Sequence, residues 1–168
     1  MKKIIFIISV SCLLYSCHDT NHHDIPKEKI PLLKNNDIIC FQDSISGNVD
    51  TFRLNIIDSW HQTLEGDYFR YINIYYNKYY LETLFLHLWV SSASIDGIIF
   101  NIDNYSWQSA NDFKINFTLL GITYPYVYIR HNISSDTNTI PNTVYLTYSN
   151  GIIRYEYKDG RVYNIVSK

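Results

Sequence analysis

Residues 143–166 read TVYLTYSNGIIRYEYKDGRVYNIV, and this stretch decides the fold. Three runs rich in Tyr, Ile, Val and Thr are separated by Asn150-Gly151 and Asp159-Gly160. Asn-Gly and Asp-Gly supply the left-handed backbone that short hairpin turns require. The pattern predicts a three-stranded antiparallel meander over residues 143–148, 152–157 and 162–166.

The same period of two extends upstream. Phe113, Ile115, Phe117 and Leu119 alternate with Lys114, Asn116 and Thr118. Ile72, Ile74 and Tyr76 alternate with Tyr71, Asn73 and Tyr75, and Phe52, Leu54 and Ile56 alternate with Thr51, Arg53 and Asn55. Such alternation marks strands with one buried and one wet face. Residues 81–90, LETLFLHLWV, fit both a helical and a two-residue period. Their tyrosine-rich flank favours a strand that is apolar on both faces. Residues 134–142, and part of 101–112, read as polar loops.

Composition agrees. The chain has 16 tyrosines but one methionine. Tyr, Ile, Phe and Thr pack well on a pleated surface, which argues against a helical bundle. The expectation is one all-β domain over residues 36–168, with eight to ten antiparallel strands. It would form either a barrel, closed or partly open, or a two-layer sandwich, and the barrel-like form is slightly favoured.

The first residues follow a different logic. Lys2 and Lys3 precede an apolar run from Ile4 to about Leu14. A membrane-spanning helix needs about 20 residues, so this shorter run reads as a secretory signal. Residues 14–17, LYSC, resemble a bacterial lipobox, with Leu three residues before the cysteine and a small residue directly before it. Tyr15 departs from the usual small residue at a tolerant position. The resemblance implies removal of residues 1–16 and a diacylglycerol on the sulfur of Cys17, usually with an acyl chain on its new amine. One chain alone binds a bilayer marginally, at about 0.8 kcal/mol per buried methylene, whereas two or three hold firmly. The polypeptide itself then needs no membrane-seeking surface. Residues 17–35, with Pro26 and Pro31, read as the lipidated cysteine and a flexible tether.

Without residues 1–16, the chain carries 12 basic and 16 acidic side chains. No basic field exists to attract nucleic acid. Cys40 is left without a disulfide partner once Cys17 is acylated, so the domain must rely on its core.

The order of these features resembles small lipoproteins of Bacteroidetes. The carrying residues are 14–17 and the run from Tyr145 to Tyr163, preceded by LLGITYPYVYIRHN at 119–132. The resemblance implies an outer-membrane, lipid-anchored protein, at the periplasmic face or the cell surface. It carries over no functional residue except Cys17.

Candidate chemistry is sparse. His18, His22 and His23, with Asp19 and Asp24, contain zinc- or copper-binding atoms, but Pro26 and the polar setting argue for a solvated linker and no metal site. Asp58-Ser59-Trp60-His61, with Glu65 and Asp67, holds groups for acyl transfer or glycoside hydrolysis. A triad or a carboxylate pair is defined by geometry rather than by nearness in sequence, so no catalytic residue is assigned. Cys40, His87 and His131 read as structural, and no cofactor is implied. The aromatic residues offer the main functional option: Tyr and Trp combine an apolar ring with a polar tip and recur at binding surfaces. Trp60, Tyr71, Tyr75 and Trp89 are the candidate contacts for a glycan, a small ligand or an envelope protein partner. The expected function is a non-enzymatic binding module. A structural or accessory subunit of an outer-membrane assembly is the competing class, ahead of a hydrolase.

Overall fold

The computed structural model describes residues 21–79, 84–94, 97–103, 107–108, 113–132 and 141–167. The strands are β1 (His22–His23), β2 (Ile38–Asp43), β3 (Val49–Gln62), β4 (Tyr68–Lys78), β5 (Leu84–Ser94) and β6 (Gly97–Asp103). They continue with β7 (Trp107–Gln108), β8 (Phe113–Leu119), β9 (Ile122–Asn132), β10 (Thr143–Thr147), β11 (Gly151–Glu156) and β12 (Val162–Ser167). The chain is all-β, as its alternation predicts. Among the described residues the only helical piece is a 3-10 turn at Lys27–Lys29. Among the described residues there are 12 strands, more than the expected eight to ten because β1 and β7 span two residues each. The described part of the ambiguous 81–90 run is strand β5.

All strands belong to one sheet with the path β6-β5-β4-β3-β2-β12-β11-β10-β9-β7, and β8 pairs with β9. Neighbours are antiparallel, except that β1 runs parallel to β4. The C-terminal meander forms as predicted, β10 to β11 to β12. Its turns are one residue longer than a two-residue hairpin. Between β11 and β12, the Gly160 amide donates to the Tyr157 carbonyl and the Tyr157 amide to Arg161. Only the glycine takes positive φ; Asp159 and Asn150 do not.

The sheet is open and folded over on itself, which makes it sandwich-like. The Ile152 amide on β11 donates to Tyr76 Oη on β4 at 3.0 Å. Along the sheet those strands are four steps apart, about 19 Å if it were flat. No tyrosine reaches that far, so β4 must lie across from β11. Between the two halves lies the main core, built from Phe41, Phe52, Leu54, Ile74, Tyr76, Leu88, Leu146 and Tyr155 among others. A second cluster gathers Leu119, Tyr124, Val127, Ile129, Tyr145 and Ile153. The meander is therefore buried on both faces.

Two expectations need correction. Residues 113–119 do not present one buried face: Phe113 and Ile115 are exposed, while Leu119 is buried. Asn116 has φ 54°, and the pairing of β8 with β9 skips Asn116 and Pro125. Proline offers no amide to the ladder and Asn tolerates the left-handed region, so the hairpin rotates there and swaps faces.

The stretch read as a flexible tether is packed over its described part. The Asn21 carbonyl accepts the Tyr68 amide, and β1 fills the position beside Tyr68 and Phe69 that β5 leaves vacant. Ile25 and Leu33 enter the main core, and the Leu32 amide donates to Ser149 at the β10–β11 turn. Residues 21–33 thus form a strap across the fold. A few apolar side chains among polar residues suffice: full burial of Ile25 and Leu33 contributes roughly 1.5–3 kcal/mol each, and Ile30 packs against the same core.

Candidate functional site

β3 and β4 pair Ser59 with Tyr71 and Trp60 with Arg70. Adjacent strand residues face opposite ways, so Trp60 and Tyr71 lie on opposite faces of the sheet. Tyr75 shares the face of Tyr71, and Trp89 takes the register position opposite Asn73 on that face. Three of the four predicted contacts, Tyr71, Tyr75 and the Trp89 position, therefore share one face as cross-strand neighbours, and Trp60 stands apart from them. Tyr71 meets His61 edge-on at 4.8 Å, and Tyr75 stacks on His87 at 4.2 Å. Trp60 meets His22 at 5.5 Å, and His22 stacks on Tyr68 at 4.8 Å. Cys17, His18 and Asp19 lie outside the described residues.

The groups considered for catalysis are occupied or separated. Arg70 binds Asp58 through two nitrogens, at 2.9 and 2.6 Å, and holds Asp24 at 2.9 Å. Those bonds keep Arg70 charged and hold the Asp24 carboxyl below the usual carboxylate range. Ser59 Oγ lies 3.1 Å from His61 Nε2, but Asp58 alternates to the opposite face. Cys40 is half-buried beside Thr51, with Sγ 3.7 Å from Oγ1. His87 meets Asn73 Oδ1 at 3.0 Å and His131 meets Thr143 Oγ1 at 3.1 Å. Among the described residues, no three His, Cys, Asp or Glu side chains gather as metal ligands.

Three tyrosines line one hollow elsewhere, a groove of about 280 Å3 between β9, the β10–β11 turn and the strap. Tyr124, Pro125, Tyr126 and Tyr148 line it, with Thr123, Thr147, Asn150 and Glu28. Its walls are fixed from behind. Tyr124 belongs to the second core cluster, and Tyr148 meets Tyr128 edge-on at 5.1 Å. Burial pushes the phenols of Tyr124 and Tyr148 up, so both stay protonated donors at neutral pH. Tyr126 remains 59% exposed, free to meet a ligand. Glu28 is the only charged lining residue. The groove thus offers an apolar ring surface edged by hydroxyls, an amide and one carboxylate.

A larger hollow, about 440 Å3, opens at the β2–β3 turn beside Asn164, Leu120 and Val166. Asp43 is buried there, and hydrogen bonds from Ser46 hold its carboxyl below the usual range. No aromatic ring lines it, so it lacks a stacking surface.

The groove residues were within reach of the sequence. Tyr-Pro-Tyr at 124–126 stands out as an aromatic run broken by the proline that disturbs the ladder, and Tyr148 precedes the Asn-Gly turn. What the sequence hides is that the fold brings these two places together.

Fold and groove together define a class: a curled, open β-sheet domain with a groove lined by tyrosines. No protein-family model matches the chain, and neither a curated protein nor a solved structure matches it. No helix among the described residues is long and apolar enough to cross a membrane.

Proposed function

We propose that this chain is a bacterial envelope lipoprotein, anchored to the outer membrane through lipid on Cys17, whose β domain is a non-enzymatic binding module. Its ligand is a sugar ring held in the tyrosine groove. The supporting observation is that Tyr124, Tyr126 and Tyr148 line one hollow together with Thr123, Asn150 and Glu28. A sugar presents an apolar face to stack and hydroxyls to bond, and both halves of that chemistry are present. Concave sites with a mainly apolar wall and a few placed polar groups are the usual form of small-ligand sites. Glu28 on the lining is offset by Lys29, whose Nζ lies 5.6 Å over the Tyr148 ring, so the groove carries little net charge and suits neutral sugars best.

Calorimetry against a panel of neutral, amino and acidic oligosaccharides tests this. Binding of a neutral or amino sugar that is lost in Tyr126→Ala supports the reading. Binding unaffected by that substitution, or no binding across the panel, overturns it.

A second reading, an accessory subunit of an outer-membrane assembly, draws on β8. Phe113 and Ile115 are exposed there, next to exposed Tyr126, which pairs with Ile115. Exposed apolar strips mark partner surfaces. Chemical cross-linking in native membranes from a label at Ile115 favours this reading if a single envelope protein is captured, and argues against it if none is.

A further inference from the structure

We infer that the β3–β4 turn, with Leu64 at its tip, is the end of the domain that touches the membrane, and that it rests on a zwitterionic phospholipid surface. This rests on the proposal that Cys17 carries the lipid. The geometry comes from the strap. The Asn21 carbonyl accepts the Tyr68 amide at 2.8 Å, and Asn21 Nδ2 donates to Asp67 Oδ1 at 3.3 Å. Asn21 is therefore pinned beside the β3–β4 turn. Four residue steps separate Cys17 from Asn21, at most about 14 Å of chain. A leash this short holds the turn at the bilayer.

The opposite end cannot take its place. β3 has 14 residues, so the β2–β3 turn lies about 45 Å away along the strand. While β1 is paired, the leash does not let that end reach the headgroups near the anchor.

The tip has the chemistry for contact. The Thr63–Asp67 hydrogen bond closes the hairpin, and Gly66 donates back to Thr63. Between them Leu64 is fully exposed, at 109% of its reference area. Below it Trp60 is 43% exposed, with His22 and Tyr68 beside it. Amphipathic rings settle at headgroup depth, so the tip offers one aliphatic side chain to insert and rings to sit above it. Glu65 and Asp67 flank it, and an anionic surface would repel them. This selects zwitterionic lipid.

The test uses the mature protein purified from membranes and reconstituted in phosphatidylcholine–phosphatidylethanolamine vesicles. In a Cys40→Ser background, nitroxide labels are placed by Leu64→Cys, by Glu65→Cys in the same turn, and by Ser46→Cys at the far end. The expected result is a several-fold higher ratio of oxygen to water-soluble nickel-chelate accessibility at 64 and 65 than at 46. Equal aqueous exposure at all three sites, or immersion at 46, overturns the inference. Intact mass is read on the same sample. Missing lipid on Cys17 defeats the anchoring proposal and this orientation with it. Lipid present with an aqueous tip defeats the orientation alone.

Discussion

Gly151→Ala is the sharpest test of the folded-over sheet. Gly151 has φ 65°, and an added Cβ would sit 2.2 Å from Tyr76 Oη and 2.9 Å from Leu33 Cδ1. The left-handed backbone costs about 1–2 kcal/mol for an L residue. Overpacking a well-filled core adds about 1–3 kcal/mol. Displacing the tyrosine also breaks its bond from the Ile152 amide, and a buried donor left alone costs about 1–3 kcal/mol. The last two overlap, because one displacement causes both, so the expected loss is roughly 3–6 kcal/mol. For a domain of this size that lowers Tm by about 10–20 °C. Urea denaturation followed by tyrosine fluorescence measures it. Tyr76→Phe alone should cost about 1–3 kcal/mol by orphaning the same amide. In the double variant the worst clash has gone with the hydroxyl, so the combined loss should fall short of the sum by 1 kcal/mol or more, a coupling of the size seen between touching residues. Additive losses would show that β4 and β11 do not touch at this point and would refute the packing argument.

Other outcomes follow from the same contacts. Tyr126→Ala should leave stability within about 0.5 kcal/mol, as for other exposed sites, while abolishing sugar binding in calorimetry. Arg70→Gln releases Asp24 and Asp58; since all three groups are partly solvated, the global loss should stay near 1 kcal/mol or below, but amide exchange at residues 21–24 should accelerate markedly. On the acid side, Asp24 and Asp43 titrate below their ordinary value in the folded state. Their contribution is therefore present above the ordinary carboxylate pKa and lost as pH falls through the folded one, so Asp43→Asn should flatten the acid limb of a stability–pH curve. At high pH the sign reverses. Burial pushes the Tyr76 and Tyr155 phenols up, with Asp50 adding to the effect on Tyr155. Stability is full below pH about 10, the unfolded tyrosine value, and declines above it. Absorbance at 295 nm should show a group of tyrosines that ionise only when the protein unfolds.

The meander was legible because its turns carry their own chemistry: Asn150-Gly151 and Asp159-Gly160 set strand ends to within a residue or so. Strand β5 could be read from the context of its neighbours. The period-two pattern also told which side of β3 and β4 is buried, and it failed at Asn116, where a left-handed residue opposite Pro125 turns the hairpin over. What alternation cannot convey is which strand lies next to which. Nothing in residues 38–43 or 162–167 announces that β2 pairs with β12. The same blindness hid the separation of Trp60 from the other aromatic candidates. Trp60 and Tyr71 look equivalent in sequence, but register sends them to opposite faces. The groove was missed because Tyr124 and Tyr126 come to line one hollow with Tyr148 only after β9, β10 and the strap are assembled. His22 and His23 hid a parallel strand because two residues carry no periodicity.

The pairing of β2 with β12 also sets a clock. Ser44 Oγ accepts a hydrogen bond from Asn164 Nδ2 across a separation of 120 residues. Long-range pairings of this kind make folding slow, since loop closure costs entropy before contact returns it. A chain emerging amino end first exposes β2 with an unfilled edge until residues 162–167 arrive. Such a chain closes its sheet late, because the middle of the path stays open until the last strand has paired with β2.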